Sequence, residues 1–158
     1  MDVEAKRKAM RMIPYGLYIL TTRVNDEVNG AGVSWVTQAS FEPPRLVVGL
    51  RAKSRIHEQV KASGLFALNF VGKGQERLAL PFFKRVEAEG DILGGTSFEV
   101  GETGVPILKK TPAYLECRVV DSMSGGDHTV FLGEIVAAGG NFGCEALSLS
   151  ETNWHYAG

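Results

Sequence analysis

Cysteine is scarce in this chain: its 158 residues hold only Cys117 and Cys144. Two cysteines in a chain of this size, with no CxxC step between them, fit reduced thiols better than a disulfide framework or a redox-active pair. Neither sign of charge is in excess. Lys and Arg number 17 against 18 Asp and Glu, for a formal net charge of −1, so the field needed for bulk nucleic-acid binding is missing and no nucleic-acid partner is expected. Long apolar runs are absent too, since stretches such as 46–50 and 135–138 fall far below the roughly 20 residues of a membrane-spanning helix. The opening MDVEAKRKAMRMI has no apolar signal core, and a cytoplasmic location away from the membrane is expected. Catalytic signatures are equally thin: there is no GxSxG elbow, Walker loop or GxGxxG fingerprint. The histidines at 57, 128 and 155 and the two cysteines form no close pair at ligand spacing, so no metal site is expected. Any chemistry must therefore come from a bound cofactor.

What is present is ordinary globular composition, 44% hydrophobic and 22% charged, at the length of one domain over 1–158. The 19 glycines are spread as punctuation between short segments, which favours many short strands. Alternating β-branched and aromatic residues predict strands over 16–23, 29–38, 45–51, 65–71, 114–122 and 129–139. Asp2 is placed to cap a first helix carrying Val3, Met10 and Ile13, ended by Pro14. A second helix follows Ser54 as N-cap, with Ile56 and Val60 on one face and Gly64 as its stop. A third is expected over 75–80, bounded by Pro81. Gly125 and Gly126 supply the hairpin turn where positive φ is needed. Strands following one another across short turns exclude a doubly wound α/β fold. The expected architecture is mainly β, a six-stranded antiparallel barrel with short peripheral helices.

The segment 32–55, GVSWVTQASFEPPRLVVGLRAKSR, carries the chemistry. Ser34, Thr37 and Ser40 offer hydroxyls, and the backbone of Ser34, Trp35, Val36, Thr37, Gln38 and Ala39 offers N–H and C=O groups to the polar edge of a flat ring. Lys53, Ser54 and Arg55 stand at a strand end and a helix start, where unpaired N–H groups favour a phosphate. Flavin mononucleotide, a planar ring with a terminal phosphate, has those demands. The same residues also allow a plainer reading, in which Ser54 only caps the helix and Lys53 and Arg55 are solvated.

Over nearly its whole length the chain resembles the flavin reductase-like, FMN-binding split-barrel family. The pieces are PYGLYILTT, the strand before SFEPP, the strand ending in KSR, SGLFALNF, TPAYLECRVVD and GGDHTVFLGEIV, in that order. WVTQASFEPP is also similar to the flavin reductase module at the C-terminal end of diflavin flavoproteins. The resemblance implies a six-stranded Greek-key split barrel that forms a homodimer, binds FMN near the subunit interface and takes hydride from NADH or NADPH. By position, Ser34 to Ser40 would lie along the ring and ribityl, Arg51 to Arg55 would meet the phosphate, and His128 would stand near the flavin or nicotinamide edge. Two departures bear on the nicotinamide site. Trp35 stands where many members carry small residues, to stack on the ring or plug part of the groove, and the sequence stops at Tyr156-Ala157-Gly158.

His128 opens a strand after a turn, where an imidazole either reaches into a cleft as the catalytic group or bonds to backbone. Asp127 reads as a turn former and His57 as structural. His155, between Trp154 and Tyr156, either covers a cofactor or dangles. Asn69 and Phe70 end a core-like strand and either pack in the core or face the groove. Phe82-Phe83-Lys84 reads as a lid or an interface patch. Three functions follow: an FMN-dependent oxidoreductase passing electrons to flavin, a redox partner protein or another acceptor; an FMN-binding electron carrier without a nicotinamide site; and a small binding barrel for oligonucleotides, which near-neutral charge argues against.

Overall fold

The computed structural model describes residues 1–156. The main sheet has seven antiparallel strands: β1 (Tyr18–Val24), β2 (Glu27–Val33), β3 (Val36–Ser40), β4 (Arg45–Arg51), β5 (Leu65–Phe70), β10 (Ala113–Ser124) and β11 (His128–Gly140). Their order is β2-β1-β5-β10-β11-β4-β3, so the sheet rolls round on itself with β2 at one edge and β3 at the other. The predicted run 29–38 is therefore two strands. The break falls at Ser34-Trp35, where Val36 N–H turns back to the Ser34 carbonyl at 3.0 Å and Gly49 N–H takes the Trp35 carbonyl at 2.9 Å. The chain crosses there from one edge of the sheet to the other.

Strand periodicity sorts the core into two bodies. On β1, Leu20 points into the barrel with Val48, Phe66, Leu68 and Phe131, while Ile19 points outward against Val28, Phe82, Leu93 and Leu149. Both faces of β1 are buried for that reason, and each such side chain removed from water is worth about 1.5–3 kcal/mol. The outer body is roofed by a four-stranded sheet absent from the sequence expectation: β6 (Ala88–Glu89), β7 (Ile92–Leu93), β8 (Thr96–Val100) and β9 (Pro106–Leu108). Its strands are too short for a period-2 pattern to stand out. Buried Glu116 fixes the turn before β9, accepting from the N–H groups of Glu102 (3.0 Å) and Thr103 (2.8 Å) and from Thr103 Oγ1 (2.5 Å).

Helix α2 (Arg55–Ser63) follows the sequence reading: Ser54 caps it, Ile56 and Val60 are buried, and Gly64 ends it at φ 69°, a conformation glycine adopts without penalty. Helix α1 (Val3–Met10) starts at Asp2, whose side chain accepts from Glu4 and Ala5 N–H, but buries none of its residues. The expected helix at 75–80 is shorter. Helix α3 (Glu76–Ala79) passes straight into a 3-10 turn, Leu80–Phe83, with Pro81 inside it. Proline near the start of a helical turn costs little, because its missing N–H has no partner there in any case. At the β10–β11 hairpin, Gly125 and Gly126 do not take positive φ, so the connection over 125–127 is not the primed turn the glycines suggested. Asn69 is core: its Nδ2 donates to the Ile19 carbonyl and Thr21 Oγ1, both at 3.0 Å, and its Oδ1 accepts from Leu108 N–H at 2.8 Å.

Two outcomes test this packing. Asn69→Leu leaves the buried Leu108 N–H unpartnered and should lower unfolding free energy by about 2–4 kcal/mol in urea titration. Cys117 is buried, its thiol pushed up to about 12, first by burial and then by the Glu116 charge, whereas Cys144 is exposed. Iodoacetamide at pH 8 should therefore label Cys144 alone in the native protein and reach Cys117 only after denaturation.

Candidate functional site

Because β2 and β3 are edges that do not pair with each other, the barrel carries an open seam. A cavity of about 850 Å³ lies in it. One wall is β2 from Asn29 to Val33 with Ser34; the facing wall is Gly49 to Arg51 of β4; the first turn of α2, the Phe82–Arg85 stretch and 153–156 complete it. Its width rests on glycines. A Cβ at Gly32 would stand 2.7 Å from the Phe83 ring, and one at Gly30 would stand 2.9 Å from the Phe82 ring, so only glycine lets these aromatics lie on the strand. Gly49 likewise accommodates Trp35, whose Cε3 would be 3.1 Å from an added Cβ.

The lining is electrically one-sided. Arg51, Arg55, Lys84 and Arg85 contribute to it and, among the described residues, no Asp or Glu does. Arg55 is ion-paired to Glu27 on β2, yet its Nη1 is buried without a partner. Ser54 Oγ donates to the Arg51 carbonyl at 2.7 Å and accepts from His57 N–H at 3.3 Å, so it caps α2 while standing in the cavity wall. The start of α2 thus brings unpaired N–H groups and the positive helix end to the same corner as the Arg55 guanidinium.

Of the residues singled out in the sequence, Ser34, Arg51, Ser54 and Arg55 line the cavity together. Lys53 is exposed and lies outside the lining, and Val36, Thr37, Gln38, Ala39 and Ser40 run along edge strand β3, with Thr37, Gln38 and Ala39 exposed. Trp35 and His128 stand behind the wall, stacked with ring centroids 4.3 Å apart. Asp127 bonds to His128 Nδ1 at 2.8 Å, and that hydrogen bond, followed by the imidazole's charge, holds the Asp127 carboxyl below its usual range. His57 turns away to Thr129 Oγ1 at 2.8 Å and to the Phe131 ring. His155 lines the cavity; Ala157 and Gly158 lie outside the described residues.

Sequence reasoning missed the Phe82–Arg85 wall and most of 153–156. The available signal was the glycine alternation at 30 and 32, which marks close approach of another side chain. Phe82 is buried against Gly30, and Phe83 meets Trp154 edge-on at 4.9 Å, so this pair, expected as a lid or an interface patch, forms part of the cavity wall. No group of three or more His, Cys, Asp or Glu among the described residues is arranged to hold a metal.

A rolled antiparallel sheet left open along one seam, with a basic, glycine-walled groove in that seam, defines a split-barrel ligand-binding domain. The model of the flavin reductase like domain matches residues 10–147, and the chain belongs to that family. It is 33% identical over 148 residues to a ferric-chelate reductase (NAD(P)H) of Archaeoglobus fulgidus, covering 87% of this chain and 80% of the relative. To diflavin flavoprotein A 1 of Synechocystis it is 35% identical over 130 residues, 81% of this chain but 22% of that protein. The chain spans about a fifth of the length of the diflavin flavoproteins it matches. Among solved structures it is similar to the NADH:FAD oxidoreductase SgcE6 of Streptomyces globisporus, with TM-score 0.79, 26% identity, and coverage of 92% of this chain and 81% of that one. No helix among the described residues is long and apolar enough to cross a membrane.

Proposed function

We propose that this chain is an FMN-dependent oxidoreductase of the flavin reductase type, taking hydride from NADH or NADPH and passing electrons to flavin or another acceptor. It would work in the cytoplasm as a homodimer of this domain. The observation that carries the reading is the seam cavity itself, largely apolar with Arg51, Arg55, Lys84 and Arg85 as the charged residues of its lining, and with the orphaned Arg55 Nη1 beside the capped start of α2. Arg55, Ser54 and the first N–H groups of α2 would hold the phosphate, and the Gly30–Gly32 stretch with Phe83 would flank the ring. A bound flavin supplies the two-electron redox chemistry. The protein's part is placement, keeping one ring face reachable so that the donor carbon lies within about 3–3.5 Å of its target. Donor groups near the ring's polar edge would stabilise developing negative charge. Hydride transfer needs no side-chain acid or base, so the lack of a catalytic triad fits. The names of its relatives, a ferric-chelate reductase (NAD(P)H) and the NADH-dependent flavin reductase StyB of Pseudomonas fluorescens, support the class.

A specific observation favours the second reading, an FMN-binding electron carrier. Trp35, His128 and Tyr156 interlock beside the cavity, which narrows the space open to a nicotinamide. For the dimer, the support is the family resemblance together with Val120 and Met123, exposed on β10.

An anaerobic absorbance titration separates the two readings. With FMN bound, NADH or NADPH should bleach the oxidised-flavin band near ~450 nm if the oxidoreductase reading holds; a bound flavin that stays oxidised selects the carrier. Arg55→Ala should weaken FMN binding about tenfold or more, as loss of a charge-assisted phosphate contact does, while thermal unfolding stays near wild type. Unchanged affinity would remove the phosphate from this corner.

A further inference from the structure

Segment 153–156 forms part of the cavity wall, yet no backbone-to-backbone hydrogen bond ties it to the rest of the described residues. The last one before it runs from Thr152 N–H to the Leu149 carbonyl at 3.1 Å. Its base is fixed. Leu149 is buried, Ser148 and Glu151 form a reciprocal capping box, and Trp154 N–H reaches Thr152 Oγ1 at 3.0 Å. Its tip is fastened through Tyr156. The Tyr156 carbonyl accepts from Trp35 Nε1 at 3.1 Å, and its hydroxyl meets His128 Nε2 at 2.7 Å. The tyrosine ring lies 5.4 Å from Trp35 and 5.8 Å from His128. Tyr156 lines the cavity, whereas Trp35 and His128 do not. The tyrosine therefore stands between the imidazole and the cavity.

We propose that 153–156 is a hinged strap over the seam cavity, latched by Tyr156 onto His128 and Trp35, and that it opens to admit the planar ligand. The choice of FMN as that ligand rests on the function proposed above. The strap has a rigid base that includes Trp154, packed against Phe83 and the outer core, and a tip without backbone-to-backbone pairing that two hydrogen bonds fasten. Such a segment opens at far lower cost than the sheet it rests on. Each hydrogen bond is worth a factor of about five in the closed-to-open ratio, so the closed form dominates and the open form stays populated. Closed, the strap occupies His128 Nε2; open, it uncovers the imidazole and widens the mouth. Asp127, bonded to His128 Nδ1, keeps the ring oriented toward the latch in either state.

Two measurements on the full chain test this. Chymotrypsin cleavage after Trp154, followed by intact mass on ligand-free protein, reads strap opening directly. Tyr156→Phe deletes the bond to His128 and Trp35→Phe deletes the bond to the Tyr156 carbonyl; each should speed that cleavage about five-fold, with other cleavage sites unchanged. Stopped-flow mixing with FMN reads the gate: both variants should raise the association and dissociation rates together by a similar factor, leaving Kd within about two-fold of wild type. Wild-type cleavage rates in both variants would overturn the latch. Faster cleavage with wild-type FMN rates would overturn the gate. If wild-type protein binds no FMN, the flavin reading and the gate fall together, and the cleavage rates still decide the latch.

Discussion

The structure depends on one unmade pairing. Seven strands roll into a barrel, but β2 and β3 end as edges on opposite sides of a seam, and the only covalent bridge across it at that end is Ser34-Trp35. Two bonds hold that crossing, Val36 N–H to the Ser34 carbonyl and Gly49 N–H to the Trp35 carbonyl. An open edge normally invites another strand. Here β2 is covered instead by the aromatics of the 3-10 turn, which lie flat on Gly30 and Gly32. What is left of the seam is neither filled by side chains nor closed by hydrogen bonds, and it becomes the cavity.

The legibility of the sequence follows the same line. Where one element answers to its own period or cap, the residues announced it: Ser54, Ile56, Val60 and Gly64 define α2 to the residue, and the alternation in 45–51 matches the inward Leu46, Val48 and Leu50 of β4. Where the outcome depends on long-range topology, they did not. Nothing in 29–38 says that its two halves belong to opposite edges, because both halves alternate equally well; the break is dictated by Gly49 lying opposite Trp35. The small sheet roofing the outer core consists of pieces two to five residues long, below the length at which periodicity carries information.

The candidate site divides in the same way. Lys53, Ser54 and Arg55 were read as one corner, because a strand end leading into a capped helix is a local motif with a local electrostatic meaning; Ser54 and Arg55 line the cavity, with Arg51 beside them, and Lys53 does not. His128, read as the group nearest the chemistry, stands one layer back. A single histidine after a turn says nothing about which side chain from a distant segment lies in front of it, and here that side chain is Tyr156. Phe83 and Trp154 were equally invisible as partners: they stand 71 positions apart in the chain, and only the fold sets their rings edge to edge.

The pairing of Arg55 with Glu27 looks at first like an argument against an anion at that corner, since a carboxylate already occupies the guanidinium. The geometry says otherwise. A guanidinium presents five donors in a planar fork, Glu27 engages Nη2, and Nη1 stays buried and unpartnered. Burying an unpaired donor of a charged group is costly, a cost that Arg55 shares with Arg23 and Arg45, whose Nε atoms are also buried without a partner. Glu27 then serves to aim the fork. It sits on β2, across the start of the seam from α2, so the ion pair joins strand β2 to the start of the helix. On the function proposed above, an anion in the cavity would meet Arg55 beside the unpaired N–H groups of the α2 start, which add their own attraction for negative charge.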